Sequence, residues 1–318
     1  MKFFKLLLVM LSMGAINAYA QEVGQISEFK TGRSAGNSLE KKMKKAPKKV
    51  FINSFSVNYQ ILYTDWEATR AGMNTGKTSA ELTVAFEGMD ESDFQRLTDD
   101  FYDNYVAHLN SLGYETISPE SISGHKAFKK NFSLVSGGTA NYDIKDGYIT
   151  TMPSRAKFYL NSKNKSQLSG KMGGIDAVVI DVNLIVPFME DSESGASKLA
   201  TKAVGGVSKV VASPNLRISP KSLIVYTDPA VLSVVKAVMT DPVTVGGVFQ
   251  EEKFKASSAA QTNTSYNLGH VTRVYSNDVN TSKIQVATGD VEKYKKGVSA
   301  AMNSLSIAAN EHFISYTK

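Results

Sequence analysis

The chain has 318 residues, with 36 basic and 30 acidic side chains, four histidines and no cysteine. Without cysteine there are no disulfide bonds, no thiol catalysis and no lipid-bearing cysteine of the bacterial lipoprotein type. A chain of this length can bury a core without disulfides, in one large domain or two medium ones. The net charge of +6 is a local feature, because residues 40–49 alone contain six lysines and one glutamate.

The first residues have the pattern of a secretory signal peptide. Lys2 and Lys5 give the amino terminus a positive charge, and an apolar run covers residues 6–11. Residues 18–20 (Ala-Tyr-Ala) end the segment with the small residues that a signal peptidase requires. The apolar run is shorter than the roughly 20 residues that cross a bilayer. We therefore predict that residues 1–20 are removed and that the protein is periplasmic or secreted, with no lipid anchor and no transmembrane helix.

Residues 21–49 are polar, with no sustained apolar period, and are predicted to form a flexible basic leader. Its lysine run is interpreted as a solvated linker or as a contact for an anionic membrane surface. No aromatic residue interleaves the lysines, so nucleic acid is not a predicted partner. The candidate residues for the anionic surface are Lys41, Lys42, Lys44, Lys45, Lys48 and Lys49.

Residues 50–318 are predicted to fold as a single α/β domain, a mixed sheet with flanking helices and loop-rich insertions. Apolar residues alternate after Val50 and predict a strand, and their change of phase predicts a β-bulge near Asn53. Two alternating segments joined by glycine and asparagine predict an inserted hairpin over residues 58–89.

Apolar residues at helical spacing then predict a helix over residues 90–112, with Ser92 and Gln95 as its capping box. A short strand follows at residues 114–117. A strand, a helix and a second strand in this order predict a parallel strand pair with a right-handed connection. Another helix start is predicted at residues 118–121.

The second half of the chain begins with a loop-rich region over residues 124–174, punctuated by pairs of glycines. Residues 175–188 have the β-branched density of a central strand. Further strands are predicted at residues 207–212, 223–226 and 271–275. Asp228 and Pro229 suggest the start of a short helix that ends near Met239. A last helix is predicted from Asp290.

Residues 71–78 satisfy a relaxed phosphate-loop pattern, Ala-Gly-Met-Asn-Thr-Gly-Lys-Thr. A phosphate loop needs a helix directly behind its lysine. An alternating strand pattern follows Thr78 instead, so we interpret the segment as the hairpin loop. No nucleotide or other cofactor is predicted.

No group of side chains has the spacing of a metal or catalytic site. The four histidines, His108, His125, His270 and His312, are far apart in the sequence. Asp99 and Asp103 lie one helical turn apart but lack a calcium-loop pattern, so we interpret them as a solvated helix face. Trp66 is interpreted as a packing residue of the hairpin. No nucleophile motif is present.

The strand from Val50, the helix over 90–112 and the strand at 114–117 resemble in layout a recurrent bacterial envelope module. That module occurs in the curli secretion channel protein, in the activator lipoproteins of penicillin-binding proteins and in the amino-terminal domain of the Tol translocation protein. Residues 174–179 (Gly-Ile-Asp-Ala-Val-Val) are similar to its entry into a central strand. This chain departs from the module in its hairpin, its loop-rich region and its lack of a lipid-bearing cysteine.

The resemblance implies a non-catalytic role. We therefore expect an exported cell-envelope protein that binds or scaffolds other envelope components. The alternative is a secreted hydrolase with dispersed acidic residues, acting on glycans. That alternative requires a pocket with two carboxylates about 5–9 Å apart, which is a property of the fold.

Overall fold

The computed structural model describes residues 22–30, 40–68, 79–125, 128, 132–139, 147–161, 174–191, 209–231, 233–250, 253–257 and 284–318. The helices are α1 (Glu91–Ser111) and α2 (Val291–Ser315), with two short 3-10 helices at Glu40–Lys45 and Pro119–Ile122. The strands are β1 (Lys49–Gln60), β2 (Leu62–Ala68), β3 (Ser79–Glu87), β4 (Glu115–Thr116), β5 (Phe132–Thr139), β6 (Tyr148–Asn161), β7 (Val178–Val186), β8 (Met189–Asp191), β9 (Lys209–Pro214), β10 (Arg217–Ile218), β11 (Leu223–Asp228), β12 (Ser233–Ala237), β13 (Val243–Thr244), β14 (Phe254–Ser257) and β15 (Ile284–Thr288).

The centre of the fold is a mixed sheet in the order β12-β11-β7-β1-β6-β5. β1 and β7 are parallel, whereas the other neighbours in this order are antiparallel. β4 adds to the start of β1 in parallel, after the crossover through α1. The predicted α/β class with a mixed sheet is confirmed.

Both long helices pack against one face of this sheet and against each other. Alternation along β1 directs Phe55, Val57 and Tyr59 into the core beneath α1. The Phe55 ring lies 4.9 Å from that of Phe101, and edge and tilted aromatic contacts of this kind add to the burial of apolar area. Within the described residues, neither helix is long and apolar enough to cross a membrane.

Two three-stranded sheets, β15-β3-β2 and β14-β9-β8, complete the core. β2 and β3 are antiparallel and lie at the place of the predicted hairpin. Phe86 of β3 stacks on Tyr294 of α2 at 5.0 Å and contacts Phe188 at 5.6 Å. These rings belong to the same buried cluster as the central sheet, so the described elements share one main core.

The flexible leader predicted for residues 21–49 is corrected by the structure over residues 22–30 and 40–49, and the rest of it lies outside the described residues. Val23 bridges to Val245 and Phe29 to Met239, and these bridges tie residues 22–30 to the sheet region. Met43 of the first 3-10 helix is fully buried in the main core. These apolar residues are widely spaced and contact irregular edges, so they produce no local period in the sequence.

The short helix predicted from Asp228 to Met239 is also wrong, because this segment forms the hairpin of β11 and β12. Asp228 pairs with Ser233 across the turn, and its carboxylate accepts a hydrogen bond from the Ala230 N–H at 3.0 Å. An aspartate followed by proline suits a tight turn as well as a helix start. The β-branched residues that follow are compatible with a strand, and the pairing with β11 makes them one.

The region over 124–174 contains two strands of the central sheet, β5 and β6, and is therefore less irregular than predicted. The capping box of α1 also differs from the prediction. Asp90 is the N-cap, and its carboxylate accepts from the Asp93 N–H at 2.9 Å. The parallel pair of β1 and β4 and the start of α2 after Asp290 agree with the sequence.

Several predictions fall outside the described residues. They are the signal peptide over 1–20, the phosphate-loop pattern over 71–78, the strand at 271–275 and His270. β2 and β3 flank residues 71–78, so a strand follows this pattern where a phosphate loop would require a helix.

Candidate functional site

A groove opens in the central sheet between β1 and β6. β1 pairs with β4 over Lys49 and Val50, and with β6 over residues 57–60. Between these points, no strand of the described residues pairs with β1 residues 51–56 on this side. The cavity has a volume of about 440 Å³. Its lining consists of Ile52, Tyr102, Thr116, Ile117, Ser118, Pro119, Glu120, Arg155, Ala156 and Lys157.

The groove begins where β6 stops pairing with β1 beyond Thr151, and β6 has a bulge at the same place. On the β5 side, Ser136 pairs with Lys157 but Gly138 pairs with Met152, so residues 153–156 stand opposite Gly137 alone. The approach there is close, because a Cβ atom on Gly137 would lie 1.7 Å from the Pro153 carbonyl oxygen. Proline has no N–H for a strand ladder, which suits it to a bulge.

Helix α1 holds this bulge in place. Asp99 accepts hydrogen bonds from the Ser154 N–H and from the Ser154 hydroxyl, both at 2.7 Å. Arg155 pairs with Asp103 at 3.4 Å, one turn further along α1. For Asp99 the interpretation as a solvated face is therefore wrong. Its carboxylate satisfies backbone and side-chain donors of the bulged strand, and the sequence contains no local signal for that contact.

Tyr102 provides a hydrogen-bond donor inside the groove. Its ring is fixed edge-on against Phe55 at 5.1 Å, and its hydroxyl makes no hydrogen bond with the described residues. Burial, and then the nearby Asp103 carboxylate, raise the pKa of the Tyr102 phenol. The hydroxyl therefore stays protonated and able to donate at neutral pH.

The rim of the groove is charged but balanced. Lys157 donates to Glu120 at 2.8 Å, and this hydrogen bond holds the pKa of the Glu120 carboxyl below its usual range. Among the described lining residues there is no histidine, and the one carboxylate belongs to this ion pair. The groove therefore presents main-chain edges, one phenol and small apolar side chains, with no pair of groups for acid–base catalysis.

A second cavity of about 270 Å³ lies between α1 and α2. It is lined by Asp93, Arg96, Leu97, Asp100, Glu292, Lys295, Lys296 and Ser299. Lys295 contacts Asp93 at 2.7 Å and Glu292 at 3.6 Å. The acids and bases of this surface neutralise each other across the helix pair, so it does not favour the hydrolase hypothesis.

The face of the central sheet opposite the helices carries a polar patch around Asp181. The pairing of β1 with β7 shifts between Ile52 and Ser54, which confirms the β-bulge predicted near Asn53. Because of the bulge, two consecutive residues of β1, Asn53 and Ser54, both contact Asp181 of β7. Asp181 Oδ1 accepts from Asn53 Nδ2 at 2.7 Å and from the Ser54 hydroxyl at 2.6 Å.

Burial raises the pKa of the Asp181 carboxyl, and its two hydrogen bonds lower it by less. Asp181 interrupts the apolar run of β7 and is half-buried. Buried ionisable groups with shifted pKa values are concentrated at functional sites, although structural networks shift them too.

We expect Asp181→Asn to stabilise the protein at neutral pH. The pKa of Asp181 is higher in the folded than in the unfolded chain, so the stability of the protonated form is lost as pH rises through the folded pKa. An asparagine keeps an acceptor for Asn53 and Ser54 but removes the charge. At pH 7 the variant should melt at a higher temperature than the wild type, because it has no charge to bury at this position.

Thermal melts at several pH values check this prediction. The difference between the variant and the wild type should shrink towards pH 4, because Asp181 is then increasingly protonated in both states. An Asp181→Asn protein that melts below the wild type at pH 7 would contradict it.

The histidines of the two long helices lie in separate environments. His108 lies on α1 and His312 on α2, and each ring contacts core residues: His108 Nδ1 meets Asn310 Nδ2 at 3.2 Å, and His312 packs on Phe29 at 5.0 Å. Within the described ranges, no group of three His, Asp or Glu residues is arranged to hold a metal ion.

The candidate lysines for an anionic surface are in different environments. Lys44 and Lys45 are exposed. Lys48 donates to the Tyr114 hydroxyl at 3.1 Å and lies 4.2 Å above that ring, while Lys49 pairs with Asp176 at 3.7 Å. The side chains of Lys41 and Lys42 are outside the described part. Contact with an anionic membrane stays a prediction for this run.

Trp66 does not pack inside the hairpin as the sequence predicts. It is 63% exposed on β2, opposite the exposed Glu81 of β3. The alternation of the strand places it on the outer face, so this interpretation is wrong.

Comparison with known proteins gives no match: no family model, no curated protein and no solved structure matches this chain. The features that bear on its function are the groove between β1 and β6 and the polar face, the sheet face around Asp181 opposite the helices.

Proposed function

We propose that this protein is an exported, non-catalytic cell-envelope protein that binds a short extended segment of another envelope protein. The segment would lie in the groove between β1 and β6. The observation that carries this proposal is the stretch 51–56 of β1, which has no partner strand on the groove side in the described part of the chain. Such an edge offers main-chain donors and acceptors to an added strand.

The chemistry of the groove suits a backbone rather than a reactive substrate. Ile52, Ile117 and Ala156 supply an apolar floor, and Tyr102 supplies a donor for a guest carbonyl. The unpaired stretch extends about 20 Å, so few residues of a guest can bind. An interface of this size belongs to the transient class, with a Kd on the order of micromolar or weaker.

Two further observations support the envelope assignment. The signal-peptide pattern over residues 1–20 supports export. The parallel pair of β1 and β4, joined through α1, supports the layout on which the resemblance to the envelope module rests. The exposed Lys44 and Lys45 support an additional contact with an anionic membrane surface.

We expect Ala156→Trp to abolish segment binding. Ala156 is half-buried in the groove wall, and an indole there would occupy the space of the guest backbone. The probe is the tightest hexapeptide selected from a displayed library on the mature protein, and binding is measured by fluorescence anisotropy. Its Kd should rise at least about tenfold, a loss of 1.4 kcal/mol.

The matched control is Ser133→Trp, an exposed position of β5 outside the groove lining. It adds the same indole and should leave the Kd unchanged. Equal affinity of Ala156→Trp and wild type would place the peptide elsewhere. Turnover of a glycan or peptide library by the purified protein would favour the hydrolase alternative instead.

A further inference from the structure

On the polar face of the central sheet, opposite the helices, most side-chain donors bond to neighbouring residues of the sheet. The hydroxyl of Ser56 and the amide of Asn58 both donate to Asn183 Oδ1, at 3.1 and 2.9 Å. Asn58 also donates to the Leu184 carbonyl at 2.7 Å, and Thr150 donates to Asn58 Oδ1 at 2.7 Å. With Ser54 committed to Asp181, the hydroxyl hydrogens of this face are directed inwards.

Acceptors are left over on the same face. Asp181 Oδ2 receives no hydrogen bond from the described residues, since Asn53 and Ser54 both donate to Oδ1. Asn53 Oδ1 is buried and has no hydrogen-bond partner in the described part of the chain. Each hydroxyl oxygen that donates also retains lone pairs that can accept. The face therefore has an excess of acceptors around one carboxylate.

No cation within the described residues neutralises this carboxylate. Across the sheet, Asp181 of β7 is in register with Val225 of β11, and Val225 with Lys236 of β12. Lys236 is thus the nearest cation in this row, and two strand spacings put it about 10 Å away. On the other side, the neighbour of Asp181 is the neutral Ser54.

We propose that Asp181 and the surrounding hydroxyl oxygens of the polar face form a binding site for a primary ammonium group. The ammonium would donate to Asp181 Oδ2 and to the oxygens of Ser54 and Ser56. This site is separate from the groove between β1 and β6, and it does not depend on the function proposed for that groove.

The geometry favours an ammonium over the other cations that a carboxylate binds. A guanidinium engages a carboxylate through both oxygens, but Oδ1 already accepts two hydrogen bonds. Ca²⁺ takes six to eight oxygen ligands, usually from several carboxylates, whereas this patch has one acid. An ammonium has three donors and needs only one charged acceptor with neutral oxygens beside it.

Amide chemical shifts of the isotope-labelled mature protein test the proposal, with ethylammonium chloride as the probe at constant ionic strength. Saturable shifts are expected around residues 54–58 and 181–183. Binding should be at least about tenfold weaker in Asp181→Asn. Asp176→Asn, which removes an exposed carboxylate five residues earlier in the chain, should bind ethylammonium like the wild type.

Tetramethylammonium chloride carries the same charge without an N–H donor and should give no saturable shifts. Equal binding of tetramethylammonium, or undiminished ethylammonium binding by a folded Asp181→Asn, would overturn the proposal. The peptide acetyl-Gly-Lys-Gly-amide distinguishes the source of the ammonium. Tighter binding than ethylammonium indicates a lysine of a partner protein, weaker binding indicates a free amine, and both results support the site.

Discussion

Tyr226→Ala is expected to lower the free energy of unfolding by about 3–5 kcal/mol, the range for removing a buried aromatic ring. Tyr226 is fully buried on β11, and its ring stacks on Phe313 of α2 with centroids 4.4 Å apart and planes 3° apart. The ring therefore connects the sheet to α2. Urea unfolding of the mature protein measures the loss.

The hydroxyl of Tyr226 should contribute separately. It accepts from the Tyr105 hydroxyl of α1 at 3.0 Å and donates to Asn310 Oδ1 of α2 at 2.8 Å. Burial raises the pKa of both tyrosines, so both stay neutral hydrogen-bonding groups. Tyr226→Phe keeps the ring but leaves two buried groups without this partner, at a cost of about 1–3 kcal/mol.

Tyr102→Phe is the matched control, because the Tyr102 hydroxyl makes no hydrogen bond with the described residues. It should change the free energy of unfolding by less than about 0.5 kcal/mol. Equal losses from Tyr226→Phe and Tyr102→Phe would show that the buried hydroxyl chain does not contribute as the structure indicates.

Met43→Ala is expected to destabilise the protein by about 2–3 kcal/mol. Met43 lies in the lysine-rich segment, but its side chain is fully buried in the main core, where the 3-10 helix packs on β12. Removing it leaves a cavity beside the edge strand. The loss is measured by urea unfolding of the mature protein.

Lys44→Ala, one residue along and exposed, is the control and should stay within about 0.5 kcal/mol of the wild type. A flexible leader predicts the same small effect for both substitutions. If Met43→Ala were as stable as the wild type, the segment around Met43 would be a flexible leader, as the sequence first suggests.

The elements that could be predicted have a strong local pattern. α1 is marked by Phe94, Leu97 and Phe101 at helical spacing, and β7 is a β-branched run that alternates with Asp181 and Asn183. In these elements the residues that face the core are set by the period of the element itself.

The elements that were missed depend on distant partners. The sequence of residues 233–237 is compatible with a helix or with a strand. The strand forms because β11 offers an edge with which these residues can pair. β6 contains Pro153, which suggests a break, yet the strand continues because Asp99 of α1 satisfies the bulged backbone at Ser154. The segments 22–30 and 40–49 pack through isolated residues and have no period to recognise.

The same reasoning explains which part of the candidate site was predictable. The bulge at Asn53 could be predicted, because it changes the phase of apolar residues within a single strand. The groove could not, because it results from the way β6 pairs first with β1 and then with β5. An aspartate within the apolar run of β7 was the sequence signal for the polar face.

The proposed function requires that the unpaired stretch of β1 accepts an added strand. Hydrogen exchange of backbone amides, measured with and without the selected hexapeptide, tests it most directly. The peptide should slow exchange at the groove-facing amides of residues 51–56 in the wild type and in Ser133→Trp, but not in Ala156→Trp. Protection confined to another part of the chain, with unchanged exchange at residues 51–56, would contradict the claim.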